Sequence, residues 1–453
     1  VAPRIRRGAR VGARLVLAAG LVAVAGQVVA APAAGAADKS LAEPPSTSVP
    51  AIPATTSPAA IPSDSTDVTI AMTENNGNDV IVYAPSGVSA PGAAESPAVL
   101  FEPTAAGSTW KVFTSGSCGG SGGWVLVSTG QVDPVAAPVT ASLPLTLCIA
   151  GGNTTVDGTL TAVYNSTGAL RTVNTLPLEE YVADTVPGES PSSWATLGGP
   201  GPEGRDWGFQ ELEAQAVAVR SYVLADPDGY GGYADTCDLG CQNYRGTEYV
   251  TATSIAAADA TAGEVMYMPD GSIATTEYSS STGGYTSSAA QGSPFTPVVD
   301  AGDAVCTTAV CNPNHDWTAT VPYSAIESAW PEIGTFTEIT NVDGDGYEGP
   351  GETFSRVDTL TVVGTKDTVH VSGATFAVTL GLKSDFFEVT SASGNTLHLI
   401  GHGFGHGIGM GQYGAIGYAL GQDTGAGNFT YEEILAHYYA PASLGDLPGT
   451  PDG

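Results

Sequence analysis

Glu189 stands in the run Val186-Pro187-Gly188-Glu189-Ser190-Pro191-Ser192-Ser193-Trp194, a carboxyl group bracketed by two prolines and followed by a tryptophan. A carboxyl so placed suits general acid/base work, which contributes roughly 10²- to 10⁴-fold to a reaction. The prolines restrain a turn around it, and burial against Trp194 would raise its pKa toward the working range. The plain alternative is an ordinary exposed carboxylate, since the chain has 46 Asp and Glu. Glu180, Glu211 and Glu213 read as structural; the last two fall on a helical segment whose beginning favours acids.

Two further islands carry unusual residue patterns. Tyr278-Ser279-Ser280-Ser281-Thr282-Gly283-Gly284-Tyr285-Thr286 invites a serine nucleophile, yet it lacks the Gly-x-Ser-x-Gly elbow and assignable acid/base partners. It reads instead as a hydrogen-bonding loop. Gly401-His402-Gly403-Phe404-Gly405-His406-Gly407-Ile408-Gly409-Met410-Gly411-Gln412-Tyr413-Gly414-Ala415 sets two histidines four apart, the spacing of metal ligands on a helix. Each glycine costs a helix about 1 kcal/mol relative to Ala, and no Glu follows His402 as a zinc-protease motif requires. A tight loop whose backbone approaches a ligand is the better reading, without metal or cofactor. Asp343-Gly344-Asp345-Gly346-Tyr347-Glu348 has the composition of a calcium loop but not its twelve-residue ligand pattern, so a solvated turn is expected.

In this order the three islands resemble the SpoIID/LytB family of stage II sporulation protein D and amidase-enhancer proteins. The shared features are Leu178-Glu179-Glu180-Tyr181-Val182, the Gly188-Glu189-Ser190-Pro191 turn, the Ala214-Gln215-Ala216-Val217-Ala218 helix, the Gly283-Gly284-Tyr285-Thr286 loop and the Gly-His loop. Leu380-Gly381-Leu382-Lys383-Ser384 and Ile434-Leu435-Ala436-His437-Tyr438-Tyr439 agree as well. The chain departs where Ser190 replaces the family's usual Met and where the Cys pair is spaced more tightly. The resemblance implies an enzyme that acts on peptidoglycan glycan strands, a lytic transglycosylase with Glu189 as its catalytic acid/base. It also implies substrate contacts for Arg220, Ser280, Ser281, Tyr285, His406, Gln412 and Tyr413. A structural ion pair is the alternative for Arg220, and a satisfied structural histidine for His406. A second implied function is non-catalytic: wall binding that stimulates an N-acetylmuramoyl-L-alanine amidase partner. A third reading is an adhesive or structural wall protein.

These groups need elements to hold them. Phe209, Leu212, Ala216, Val219 and Tyr222 recur at helical spacing, which predicts a helix over Trp207 to Ala225 ended by Asp226-Pro227. Tyr431 to Tyr439 reads as a short closing helix, and the β-branched runs Val357 to Val363 and Thr368 to Leu380 read as strands. The expected fold is α+β, largely antiparallel with few helices over residues 151–442, preceded by a small all-β module over 67–150. Residues 443–453 are expected as a tail.

Five arginines precede the apolar run Leu15 to Gly26, and Ala34-Gly35-Ala36 offers a cleavage site, so residues 1–37 read as an export signal. An uncleaved anchor is the alternative; after processing no stable membrane span is expected. Residues 38–66, rich in Pro, Ser, Thr and Ala, read as a linker. The expected location is therefore secreted, at the cell wall. A formal net charge of −32 repels nucleic acid, which is excluded as a partner. Six cysteines suit an oxidising compartment; sequence does not fix their pairing, and the simplest scheme, of sequence neighbours, joins Cys118 to Cys148, Cys237 to Cys241, and Cys306 to Cys311.

Overall fold

A computed structural model describes residues 66–448, except positions 91, 105–108, 121, 132–134, 139–143, 226–228, 349–353, 423–424 and 426. The expected leader and all of the expected linker but Thr66 lie outside the described residues. Among the described residues, no helix is long and apolar enough to cross a membrane.

The fold is α+β. Its largest sheet has eleven strands, in which Asp67–Ala71, Val80–Ala90, Ala93–Pro103, Trp110–Ser115, Val125–Gln131, Val135–Pro138 and Leu145–Leu147 join Thr154–Val156, Thr159–Tyr164, Leu170–Pro177 and Thr236–Cys237. Alternating burial runs through Val80–Tyr83, with Val80 and Val82 buried and Ile81 and Tyr83 less so, as a sheet with one covered face requires. The expected boundary at residue 150 falls inside this sheet. Asp67–Ala71 pairs with Leu170–Pro177, and Val135–Pro138 with Thr159–Tyr164.

Seven helices occur among the described residues: α1 (Leu178–Glu189), α2 (Phe209–Ala225), α3 (Ala252–Ala260), α4 (Tyr323–Ala329), α5 (Gly373–Leu380), α6 (Gln412–Ala419) and α7 (Tyr431–Tyr439). α2 and α7 occupy the segments that periodicity predicts. α2 is buried around almost its whole circumference. Leu212, Ala216, Val219 and Val223 belong to one apolar core with the large sheet and α1, while Ala214, Val217 and Ala218 belong to a second core with α6 and α7. Its alanines let backbones on both sides come close, which explains why a stripe of larger apolar residues marks only one face.

The structure corrects several expectations. The segment around Glu189 is the last part of a helix rather than a turn. α1 continues through Pro187, and the Ser190 N–H closes it on Val186 O at 2.8 Å. Burial of Tyr181, Val182 and Val186 in the first core outweighs the hydrogen bond that Pro187 removes. Thr368–Leu380 splits into a strand, Thr368–Ser372, and α5. Ser372 Oγ caps α5 by accepting from Thr375 N–H at 3.0 Å, and Gly381 ends it in the left-handed conformation at φ 70°.

A third core over residues 317–399 joins α4 and α5 to two three-stranded sheets. One contains the acidic Asp343–Glu348 run as part of the strand Phe336–Glu348, paired with Ser355–Gly364, rather than as a turn. Strand Ser443–Asp446, within the stretch expected as a tail, pairs with Glu264–Tyr267. All three predicted disulfides are formed, Cys118–Cys148, Cys237–Cys241 and Cys306–Cys311.

Candidate functional site

Glu189, as the C-terminal residue of α1, is carried to the meeting place of the three islands. A short parallel ladder brings the second and third together, Tyr278 opposite Met410 and Ser279 opposite Gly411. Beyond it, Ser281 and Phe404 exchange backbone hydrogen bonds at 3.2 and 2.8 Å, Tyr413 N–H donates to Ser280 O at 3.1 Å, and Ser287 N–H to Gly407 O at 2.8 Å. Glycine is required where the loops touch: Gly283 has φ 74°, and a Cβ there would lie 2.6 Å from Gly403 N.

Three donors converge on the Glu189 carboxyl. Asn243 N–H donates to Oε1 at 2.6 Å, the Tyr278 hydroxyl to Oε1 at 3.0 Å, and Gln412 Nε2 to Oε2 at 3.2 Å. Burial pushes its pKa above the ordinary carboxylate value, while the three hydrogen bonds pull the other way. The residue as a whole is only partly buried. Oε1 has two donors and Oε2 one, which leaves Oε2 the better placed to carry a transferable proton.

Behind Glu189 runs a chain of neutral groups. The Tyr181 hydroxyl donates to Gln242 Oε1, Gln242 Nε2 donates to the Tyr278 hydroxyl at 2.8 Å, and Tyr278 donates to Glu189. Burial raises both tyrosine pKa values, so the chain stays uncharged. Asn243, held by its own side-chain donation to Gly188 O, carries no recognisable motif. The clue in sequence was its place directly after Cys241-Gln242, where a disulfide anchors the backbone.

The other expected site residues divide. Gln412 touches Glu189, and Tyr413 follows it with its ring 5.2 Å from buried Trp194. Ser280 accepts from Asn314 Nδ2 at 3.3 Å and is partly open, as is Tyr285. His406 has an exposed edge; its Nδ1 accepts from Ile408 N–H at 3.0 Å and the ring also bonds the Tyr278 backbone. Dense surroundings, then the Arg356 charge, hold its pKa below the ordinary value, which favours the neutral ring. No hydrogen bond joins it to Glu189 among the described contacts.

Ser281 and Arg220 are absorbed into the framework. Ser281 is fully buried; its hydroxyl donates to Asp303 Oδ2 at 2.9 Å and accepts from Asn312 Nδ2 at 3.0 Å. Asp303 also accepts from Thr282 N–H and Gly283 N–H at 3.0 Å, tying the loop down. Arg220 is fully buried. Its Nε donates to Glu179 Oε1 at 2.9 Å and Nη2 to Glu179 Oε2, and the remaining donors meet Thr261 Oγ1, Glu264 O and Ala258 O. All five N–H groups of the guanidinium therefore have acceptors, which leaves none for a ligand. The ion-pair alternative fits Arg220, and the expected substrate contact does not.

His402 ends strand Thr396–His402, with Nδ1 2.8 Å from Asp316 Oδ1, while His406 lies in the following loop, so the two do not share a helix face. Cys237 and Cys241 are committed to each other as a disulfide.

Residues 166–268 match the family model described as "Stage II sporulation protein", SpoIID, a span that contains Glu189 and Asn243 but not Tyr278 or Gln412. The chain is 25% identical over 314 residues to stage II sporulation protein D of Bacillus subtilis strain 168, covering 61% of this chain and 77% of that protein. The corresponding protein of Bacillus amyloliquefaciens is 24% identical over 310 residues, with 60% and 76% covered. The amidase enhancer of Bacillus subtilis strain 168 is 26% identical over 307 residues, 57% of this chain, which spans only 39% of the enhancer's length.

Proposed function

We propose that this chain, which belongs to the SpoIID/LytB family, is a secreted peptidoglycan-acting enzyme, a lytic transglycosylase that cuts glycan strands between N-acetylmuramate and N-acetylglucosamine. The observation that carries the reading is the Glu189 carboxyl at the end of α1, held by three donors and raised in pKa by burial in a residue that is only partly buried as a whole. A hydrolase normally works with two carboxylates. A transglycosylase needs one, because the nucleophile is the muramyl 6-hydroxyl of the substrate itself.

In this mechanism Glu189 Oε2 gives its proton to the glycosidic oxygen as the bond from the muramyl anomeric carbon breaks. The 6-hydroxyl oxygen of the same sugar attacks that carbon and closes the anhydro ring. Its proton returns to Glu189, so the carboxyl ends as it began. Asn243 N–H, Tyr278 and Gln412 hold the intervening carboxylate, which favours its formation without a metal or cofactor. Ser280, Tyr285, His406 and Tyr413 line the approach as contacts for sugar groups.

Mass spectrometry of glycan digested by wild type and by Glu189→Gln tests the reading. Anhydromuramyl ends from the wild type and a loss of roughly 10²-fold or more in the variant are expected. Unaltered strands with folded protein reject the enzyme, and reducing ends reject the transglycosylase route.

The match to an amidase enhancer supports a second reading, in which the chain binds wall and stimulates a partner amidase without cutting. Stimulation of an amidase that survives Glu189→Gln, with no glycan cleavage by either form, would select it.

A further inference from the structure

Ser190 and Glu211 do not touch the Glu189 carboxyl, yet a continuous run of hydrogen bonds joins them to it. Ser190 Oγ lies 2.6 Å from Glu211 Oε1 and 3.3 Å from Gln215 Oε1. Gln412 Nε2 lies 3.4 Å from that same Gln215 oxygen and 3.2 Å from Glu189 Oε2. Glu211, Ser190 and Gln215 are fully buried and Gln412 nearly so.

A serine hydroxyl has one proton, and both of its neighbours are acceptors when Glu211 is ionised, so one contact is then unmade. With a proton on Glu211 the run closes. Glu211 donates to Ser190, Ser190 donates to Gln215, and Gln412 gives one amide hydrogen to Gln215 and the other to Glu189. Burial favours the same state, since Glu211 is fully buried and the charge of an ionised form would have the Ser190 hydroxyl as its one hydrogen-bond donor, with Oε2 unpartnered. Ser190 stands where the family pattern has Met, a side chain with no hydroxyl to make this link.

We infer that Ser190 and Glu211 are positioning residues that hold Gln412, through Gln215, against Oε2 of Glu189. The inference rests on Glu189 as the acid/base for its meaning, but the contact it describes is independent of any cleavage. Gln412 is the donor on the oxygen assigned to proton transfer, and its aim depends on Gln215 being fixed. Tyr181 on α1 and Tyr278 on its short strand feel the charge of Glu189, and both stay neutral. Beside Glu211, Ser190 and burial are the influences that act.

Carbon-13 NMR of glutamate carboxyls in the full chain, assigned with Glu189→Gln and Glu211→Gln, tests this directly. Glu211 is expected to remain protonated at pH 7 in the wild type. Ser190→Ala and Glu211→Leu should each raise the titration midpoint of Glu189 by a few tenths to about one pH unit, the worth of a weakened hydrogen bond to its charged form. Glu211→Gln, whose amide can donate to Ser190, should restore the midpoint that Glu211→Leu displaces. An ionised wild-type Glu211 overturns the inference, as does an unmoved Glu189 midpoint in folded Ser190→Ala or a Gln variant that shifts as far as Leu. Should Glu211→Leu fail to fold, Ser190→Ala decides. Glycan digestion is a separate arm: no cleavage by the wild type rejects the proposed reaction while the titrations still judge the positioning, and cleavage whose pH limb ignores Ser190→Ala overturns its part in the reaction.

Discussion

Glu179→Ala should unfold this protein more readily by about 3–4 kcal/mol, because it strands the charge of Arg220 in the core. The guanidinium is fully buried and the Glu179 side chain is 14% exposed, so solvent screens the pair weakly. The substitution removes the acceptors of Arg220 Nε and of one Nη2 hydrogen and leaves Thr261 Oγ1, Glu264 O and Ala258 O. It also orphans Gly263 N–H, which donates to Glu179 Oε1 at 3.1 Å. Losing one partner of a buried pair costs roughly 3–5 kcal/mol, and the partial opening at Glu179 argues for the lower half of that range. Urea unfolding followed by circular dichroism measures it. The double variant Glu179→Ala with Arg220→Met removes the stranded charge and should recover about 1–3 kcal/mol of the loss. A single-variant loss below about 1 kcal/mol, or a double variant no more stable than the single, would refute the assignment of Arg220 to the framework. Were Arg220 a substrate group instead, Arg220→Met would weaken glycan binding and leave stability nearly untouched.

Stability itself should fall as pH rises through the neutral range. Burial raises Glu211 from 4.5 to about 8 and Asp184 from 3.8 to about 8; burial, then the charge of Asp303, raises Asp300. Each favours the folded state while protonated, fully so below its unfolded value, and that contribution is lost as pH climbs through the folded value. His315, raised by its hydrogen bond to Asp303, acts in the same direction above its unfolded value of 6.5. Thermal midpoints across pH 4.5 to 8 should therefore decline, and a rising series would contradict the buried neutral acids. Tyr278→Phe removes a donor from Glu189 and should raise the alkaline limit of glycan cleavage by about one pH unit while slowing it about tenfold; an unchanged pH–rate profile would exclude the Tyr278 hydroxyl from the reaction.

Much of the site is legible in the chain because its parts are local. The glycines of the Gly-His loop exclude a helix wherever their spacing occurs, and Gln412 adjoins them in sequence. α2 declares itself through five apolar residues at helical spacing. Helix α1 hides behind Pro187, which local rules treat as a breaker. Asn243, donating through its backbone, leaves no side-chain signature to find.

Composition and spacing alone point to the α+β class, α2 and α7, the family resemblance singles out Glu189 as the carboxyl to examine, and pairing of neighbouring cysteines is only the simplest of the schemes that six cysteines allow. Only the tertiary structure decides what that carboxyl touches, since its donors come from 54, 89 and 223 residues away. It likewise turns Arg220 from a possible ligand contact into a saturated ion pair, and Ser281 into loop scaffolding. Local sequence records backbone preference and periodicity, whereas the protonation and freedom of a side chain depend on which distant groups remove its water.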